Sequence, residues 1–210
     1  MTEEQIPEEQ GIEKEEGNSN GGLKAKFQMI DGNMTLRTIG YALVGALLYV
    51  GISMIPVPFT MVTLLKFGLL PAVVIIALVG AIRGPIAGFI AGYLGEVLYG
   101  LLVYNQIVTY TLPAVAFGVL GFIVGIASYD FSNGRSLAKL SVLSTIGFVF
   151  TVLLVVVIGI TIEEYSVLAA IAFNMLPLLT TGIPTLIFVT PVIARLWFHT
   201  VTQLNQSDTD

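Results

Sequence analysis

The chain has 210 residues, of which 55% are hydrophobic and 11% are charged, and its mean hydropathy is +0.89. Soluble domains carry about 25% charged residues, so this composition excludes an ordinary soluble protein and indicates an integral membrane protein. The formal net charge of −5 comes from the N-terminus, where seven glutamates lie in the first 16 residues. Because the chain has no cysteine, disulfides, thiolate chemistry and Cys-based metal sites are excluded.

The N-terminal residues 1–32 are predicted to form a disordered acidic tail. They lack the basic and apolar regions of a signal peptide and have too little apolar surface to fold alone. A docking peptide is the alternative for this segment. Residues 201–210 are predicted to form a polar C-terminal tail, which leaves 33–200 as a single transmembrane domain.

Six apolar runs follow the tail, each close to the roughly 20 residues with which a helix crosses a bilayer. Pro56 and Pro58 separate the first run from the second, and Arg83-Gly84-Pro85 forms a tight turn before the third. The runs are continuous rather than alternating, which excludes the strands of an outer-membrane barrel. The predicted spans are 36–55, 64–82, 84–104, 111–129, 137–160 and 176–198.

The basic residues give the predicted orientation. With the N-terminus inside, eight of the nine lysines and arginines lie on the cytoplasmic side, and only Lys66 lies outside. The sequence therefore predicts an all-α membrane protein, a compact bundle of six transmembrane helices with both termini in the cytoplasm.

Residues that could support catalysis are scarce. The single histidine, His199, lies beyond the last span, and the sequence has no GxSxG motif, Walker loop or paired intramembrane carboxylates. These features predict neither an enzyme nor a bound cofactor or metal.

The third span carries a lone acidic residue, Glu96, past the midplane toward the outer surface. Ionisable residues inside membranes usually mark functional sites, and aromatic rings with a few polar groups suit a small, partly aromatic ligand. Two alternatives stay open, an interfacial aromatic belt for Tyr104 and Tyr110 and a purely structural hydrogen bond for Glu96. The candidate substrate-binding residues are Lys66, Tyr93, Glu96, Tyr99, Tyr104, Asn105, Asn174, Thr180 and Thr181.

Small residues form two strips that would let helices approach closely in lipid. Along the third span, Gly84, Gly88, Gly92 and Gly95 predict packing inside the bundle. In the first span the candidate residues for contact with another subunit are Ala42, Gly45 and Ala46, with packing inside the bundle as the alternative.

These features together resemble the substrate-binding S component of an energy-coupling factor (ECF) transporter. The resemblance covers about residues 36–198 and consists of the size, the six spans, the strip at 42–46, the turn Arg83-Gly84-Pro85 followed by IAGFIAGYLGEVLY, and the final NMLPLLTTGIPTLIFVTPVIARL. The strip is similar to the AxxxA motif with which such subunits meet a transmembrane partner. The acidic tail is longer than the family leads one to expect.

The resemblance implies a vitamin or related micronutrient as substrate, captured from outside the cell membrane. It implies a transmembrane coupling protein and two ATPase subunits as partners, with ATP used by the partners, and no nucleic acid. Two other classes stay open: a stand-alone secondary carrier, for which Pro177, Pro184 and Pro191 interrupt the last span, and a membrane scaffold subunit without a ligand.

Overall fold

The computed structural model describes residues 36–56, 60–62 and 65–207. The predicted N-terminal tail lies outside the described residues, as do 208–210 at the other end. Within the described part the chain is almost entirely helical, with one two-stranded hairpin.

Five helices precede a long C-terminal helical segment. Their bounds are α1 Leu36–Ser53, α2 Ala72–Arg83, α3 Pro85–Tyr104, α4 Val108–Ile126 and α5 Gly134–Thr161. The C-terminal segment, here called the C-terminal helix, runs without a break through Val167–Ala169, Ala170–Met175, Leu176–Pro184, Thr185–Val189 and Thr190–Ser207.

Four of these helices are long and apolar enough to cross a membrane: α3, α4, α5 and the C-terminal helix. Helices α1 and α2 are apolar but shorter, with apolar stretches at Thr38–Ser53 and Ala72–Arg83. Large apolar side chains also point outward, and Leu168, Phe173 and Phe188 are each at least 70% exposed. Such an apolar exterior is unfavourable in water and suits a lipid environment, so the protein is a helical, membrane-embedded one.

The segment between α1 and α2 differs from the sequence prediction. A span was predicted over 64–82, but strands β1 Thr60–Val62 and β2 Leu65–Phe67 form an antiparallel hairpin there, in which Thr60 pairs with Phe67. Helix α2 begins only after Pro71, because proline lacks the N–H that a continuing helix would need. Lys66 consequently lies on a strand.

The other helix bounds follow local sequence signals. Gly84 takes a left-handed φ of 94° between α2 and α3, and Pro85 occupies the first turn of α3. Asn133 caps α5 by accepting a hydrogen bond from the Arg135 N–H. The C-terminal helix starts at Val167, after the Ser166 cap, and reaches Ser207, so it exceeds the predicted span 176–198 at both ends.

Glycines bring α2, α3 and α4 into backbone contact. A Cβ placed on Gly88 would overlap the backbone of Gly121, and one placed on Gly80 would overlap the same Gly121 carbonyl. Helices in lipid associate through such close packing rather than through hydrophobicity. The predicted strip of small residues along α3 thus packs inside the bundle.

Two segments within the C-terminal helix are π-helical, Ala170–Met175 and Thr185–Val189. The second follows Pro184, whose missing N–H removes a regular i→i−4 bond. Segments of this kind often occur at functional sites. Between them lies Leu176–Pro184, which borders the cavity described below.

Candidate functional site

A cavity of about 400 Å³ lies at one end of the bundle. Its wall is built from the end of α1, the segment that connects α1 to α2, α3, α4 and the C-terminal helix. The described lining residues are Tyr49, Ile52, Ser53, Ile55, Pro56, Leu69, Leu70, Pro71, Ala72, Glu96, Tyr99, Phe117, Leu178 and Thr181.

Glu96 is the carboxylate of this cavity. It is only 8% exposed, and the hydroxyl of Tyr49, itself 5% exposed, donates a hydrogen bond of 2.5 Å to its Oε2. A buried carboxyl group without such a donor would be strongly destabilising. The hydrogen bond foreseen as a structural alternative therefore exists, and Glu96 also faces the cavity.

Gly95 allows Tyr49 to reach Glu96. A Cβ at position 95 would lie 2.8 Å from Cδ1 of the Tyr49 ring and 3.1 Å from its Cγ, closer than ordinary van der Waals contact. The missing side chain lets the ring pack closely against α3, where its hydroxyl reaches the neighbouring carboxylate. Glycine at this position thus shapes the site.

Aromatic rings form much of the cavity wall. Tyr49 and Phe117 are tilted at 57° with their centroids 6.3 Å apart, and Tyr99 lines the cavity from α3 together with Glu96. Tyr99 meets Tyr104 edge-on at 5.9 Å, and Tyr104 stacks on Tyr110 at 5.3 Å. The three tyrosines form a continuous row from the cavity to the end of α3.

The connecting segment is anchored to the C-terminal helix beside the cavity. The Leu70 N–H donates to Oγ1 of Thr185 over 2.8 Å, and the Thr185 hydroxyl donates to the Thr181 carbonyl over 2.6 Å. Thr185 is fully buried at the start of the second π-helical segment. This pair of bonds fixes Leu69, Leu70 and Pro71 as part of the wall.

Three of the predicted substrate-binding residues, Glu96, Tyr99 and Thr181, line the cavity. Lys66 lies on β2, and its side chain is outside the described residues. The remaining five are not among the described lining residues: Tyr93, Tyr104, Asn105, Asn174 and Thr180.

Local contacts explain these other positions. Tyr93 stacks on Phe89 at 6.2 Å, one turn earlier on α3. Tyr104 is 52% exposed, which fits the aromatic-belt interpretation, and Asn105 ends α3 in a left-handed conformation with φ 54°. Asn174 lies in the first π-helical segment, and the Thr180 hydroxyl donates to the Leu176 carbonyl over 2.8 Å.

The α1 strip for which contact with another subunit was predicted is buried against helices of its own chain. Ala42 and Ala46 have no exposed surface, and a Cβ on Gly45 would overlap Val79 of α2 and touch Ala91 of α3. The small residues permit close approach as expected, but the helices they approach belong to the same chain.

The same face of α1 contains two cavity residues that sequence reasoning missed, Tyr49 and Ser53. Ala42, Ala46, Tyr49 and Ser53 are spaced by four, three and four residues, the spacing of one helix face. If the strip of small residues had been assigned to the inside of the bundle, the same spacing would have placed Tyr49 inside the bundle as well. Phe117, in an ordinary apolar run, gave no comparable signal.

Arg83, the last residue of α2, lies away from the cavity. The Arg83 guanidinium rests over the Tyr41 ring, 3.7 Å from its centroid, in a groove that Trp197 also lines. Along α3, Pro85 and Glu96 are about 16 Å apart at 1.5 Å per residue. The carboxylate thus lies just beyond the middle of α3, on the side away from the Arg83 turn.

No family model matches the chain, and comparisons with curated proteins and with solved structures found no match.

Proposed function

We propose that this chain is the substrate-binding S component of an ECF-type importer for a vitamin-like micronutrient. The observation that carries the proposal is the cavity of about 400 Å³ in which buried Glu96 lies among aromatic rings. Small-molecule sites are mostly apolar concavities with a few placed polar groups, and intramembrane carboxylates usually have a functional role. The resemblance of the helix pattern to the ECF family supports the same assignment.

In this proposal all six helical segments cross the cell membrane, with both termini in the cytoplasm. The positive-inside rule places the Arg83 turn on the cytoplasmic side. The cavity, which lies along the second half of α3, is then in the outer half of the membrane and receives substrate from outside. In this arrangement strands β1 and β2 form part of the outer connection between α1 and the short helix α2.

The proposed partners are a transmembrane coupling protein and two ATPase subunits, which hydrolyse ATP for the complex. The chain itself binds substrate without converting it chemically and holds no cofactor. Because Ala42 and Ala46 are buried, contact with the coupling protein uses other, lipid-exposed residues.

Reconstitution in proteoliposomes tests the proposal. Chain, coupling protein and ATPases together should accumulate a co-purified micronutrient, identified by native mass spectrometry, only when ATP is supplied. The chain alone should bind this compound without accumulating it. Purified chain that neither carries nor binds any small molecule would contradict the proposal and support a scaffold role.

The two π-helical segments of the C-terminal helix favour one alternative, a stand-alone secondary carrier, because carriers use interrupted helices at their binding sites. Ion-dependent uptake by the chain alone, without ATPases, would establish that alternative.

A further inference from the structure

We infer, on the basis of the proposed function, that the cavity takes a small organic cation with a flat, apolar body, and that Glu96 is its counter-ion. The inference concerns the class of substrate and depends on the charge, the ring arrangement and the hydrogen-bonding groups of the wall.

The described wall of the cavity carries an acidic residue but no basic one. Glu96 is its only carboxylate, and none of the described lining residues is a lysine, arginine or histidine. Moving an ionised carboxylate out of water is unfavourable unless hydrogen bonds and an opposite charge compensate. Tyr49 supplies a hydrogen bond from a neutral donor but no charge. A cationic ligand would supply the missing charge at the place where the protein holds the carboxylate.

The rings beside Glu96 favour the same ligand. Cations are attracted to the faces of aromatic rings, more strongly where water is displaced. Tyr49, Tyr99 and Phe117 all line the cavity, and the first two border the carboxylate directly along α1 and α3. A flat cation would contact ring faces and carboxylate together, whereas a carboxylate or phosphate ligand would be repelled by both.

The hydroxyl of Thr181 adds a second acceptor. It donates to the Pro177 carbonyl over 2.7 Å, so its oxygen can accept a hydrogen bond from a ligand N–H. The rest of the wall is mainly aliphatic, for example Ile52, Leu69 and Leu178. A cavity of this volume therefore fits a compact ligand with donors near Glu96 and an apolar body beyond.

The connecting segment contains one basic residue, Lys66, whose side chain lies outside the described residues. If Lys66 neutralised Glu96, the cavity would not need a cation, so the experiment includes a variant of this residue.

The test uses the full chain in nanodiscs and three matched probes, pyridylmethylamine, pyridylmethanol and pyridinecarboxylate, with affinities measured by saturation-transfer NMR. We expect the cationic amine to bind more tightly than the neutral alcohol by about tenfold or more, as a charge-assisted hydrogen bond gives. Glu96→Gln, which preserves shape, should abolish this difference. Lys66→Gln, which removes the one basic side chain of the connecting segment, should retain it.

Three results would overturn the inference: the alcohol or the carboxylate binding as tightly as the amine, a preference for the amine that persists in Glu96→Gln, or no binding of any probe. A neutral or anionic compound that co-purifies with the chain and is transported in the reconstituted complex would also overturn it. That last result would leave the proposed import function intact, so failure of the cation inference can be distinguished from failure of the proposed function.

Discussion

Replacing Gly95 with alanine tests the contact on which the buried carboxylate depends. The new Cβ would lie 2.8 Å from Cδ1 of Tyr49, 3.1 Å from Cγ and 3.2 Å from its Cβ. Carbon atoms pack best at about 3.5–4.0 Å, so the ring must withdraw by up to about 1 Å. Such a shift would lengthen the 2.5 Å bond between the Tyr49 hydroxyl and Glu96 beyond the usual hydrogen-bonding range of about 2.5–3.0 Å.

The energetic effect has opposing contributions. Overpacking costs about 1–3 kcal/mol, and weakening the hydrogen bond of a buried carboxyl group costs about 1–3 kcal/mol. Alanine recovers about 1 kcal/mol because it favours the helix over glycine. Since withdrawal of the ring relieves part of the overpacking, we expect a net loss of about 2–3 kcal/mol in the free energy of unfolding.

Thermal unfolding of the detergent-solubilised chain measures this effect, with an expected decrease in Tm of about 5–10 °C for a protein of this size. Gly51→Ala is the matched control, because Gly51 lies on α1 with no atom within 4 Å of an added Cβ. Its Tm should stay equal or rise slightly. A Gly95→Ala protein as stable as the control, with unchanged ligand affinity, would refute the role assigned to this glycine.

Three further predictions concern topology and packing. A cysteine introduced at Asn105 should react with an impermeant maleimide added outside cells, and one at Asn133 should not, because the two loops are proposed to face opposite sides. The double substitution Ala42→Leu, Ala46→Leu should destabilise the isolated chain by about 1–3 kcal/mol per site, since both positions are fully buried. Thr185→Val should increase proteolysis in the segment between α1 and α2, because the Leu70 N–H loses its acceptor at a cost of about 1–3 kcal/mol.

Controls for these experiments are available within the chain. The chain has no cysteine of its own, so without an introduced cysteine it should not react with the maleimide. Labelling at Asn133 but not at Asn105 would show that the orientation is the reverse of the one proposed. Gly40→Leu is the control for the double alanine substitution, because it adds a large side chain to α1 at a position with no atom within 4 Å of an added Cβ. Thr200→Val controls for the removal of a hydroxyl from the C-terminal helix, where Thr200 is exposed and bonds only its own helix. Equal proteolysis of both threonine variants would argue against the anchoring role of Thr185.

Much of the architecture could be predicted from the sequence, because long apolar runs have one favourable arrangement in lipid, the helix. Helices α3 to α5 begin and end within three residues of the predicted bounds. Pro85 and the Gly84 turn are local signals that need no tertiary information. Strands β1 and β2 were not predicted, because a short apolar run of strand length cannot be distinguished from helix by hydrophobicity alone.

Only part of the candidate site could be predicted from the sequence, because only some of its residues are unusual in an apolar helix. A lone carboxylate in an apolar helix is conspicuous by its free-energy cost, so Glu96 could be identified from the sequence, and its helix neighbour Tyr99 followed. Apolar and aromatic residues have no such signature. Whether a tyrosine such as Tyr93 faces a neighbouring ring or a cavity depends on how the helices are rotated and on which of them are adjacent.

The sequence by itself therefore determined that the chain is a helical membrane protein, where most of its helices lie, and that Glu96 needs a partner. Only the tertiary structure decided that the partner on the protein is Tyr49, 47 positions earlier in the chain. It also decided that Ala42 and Ala46 face their own bundle rather than lipid. The physical reason is that small residues permit close approach to any helix, and only the packing of the whole chain selects which helix that is.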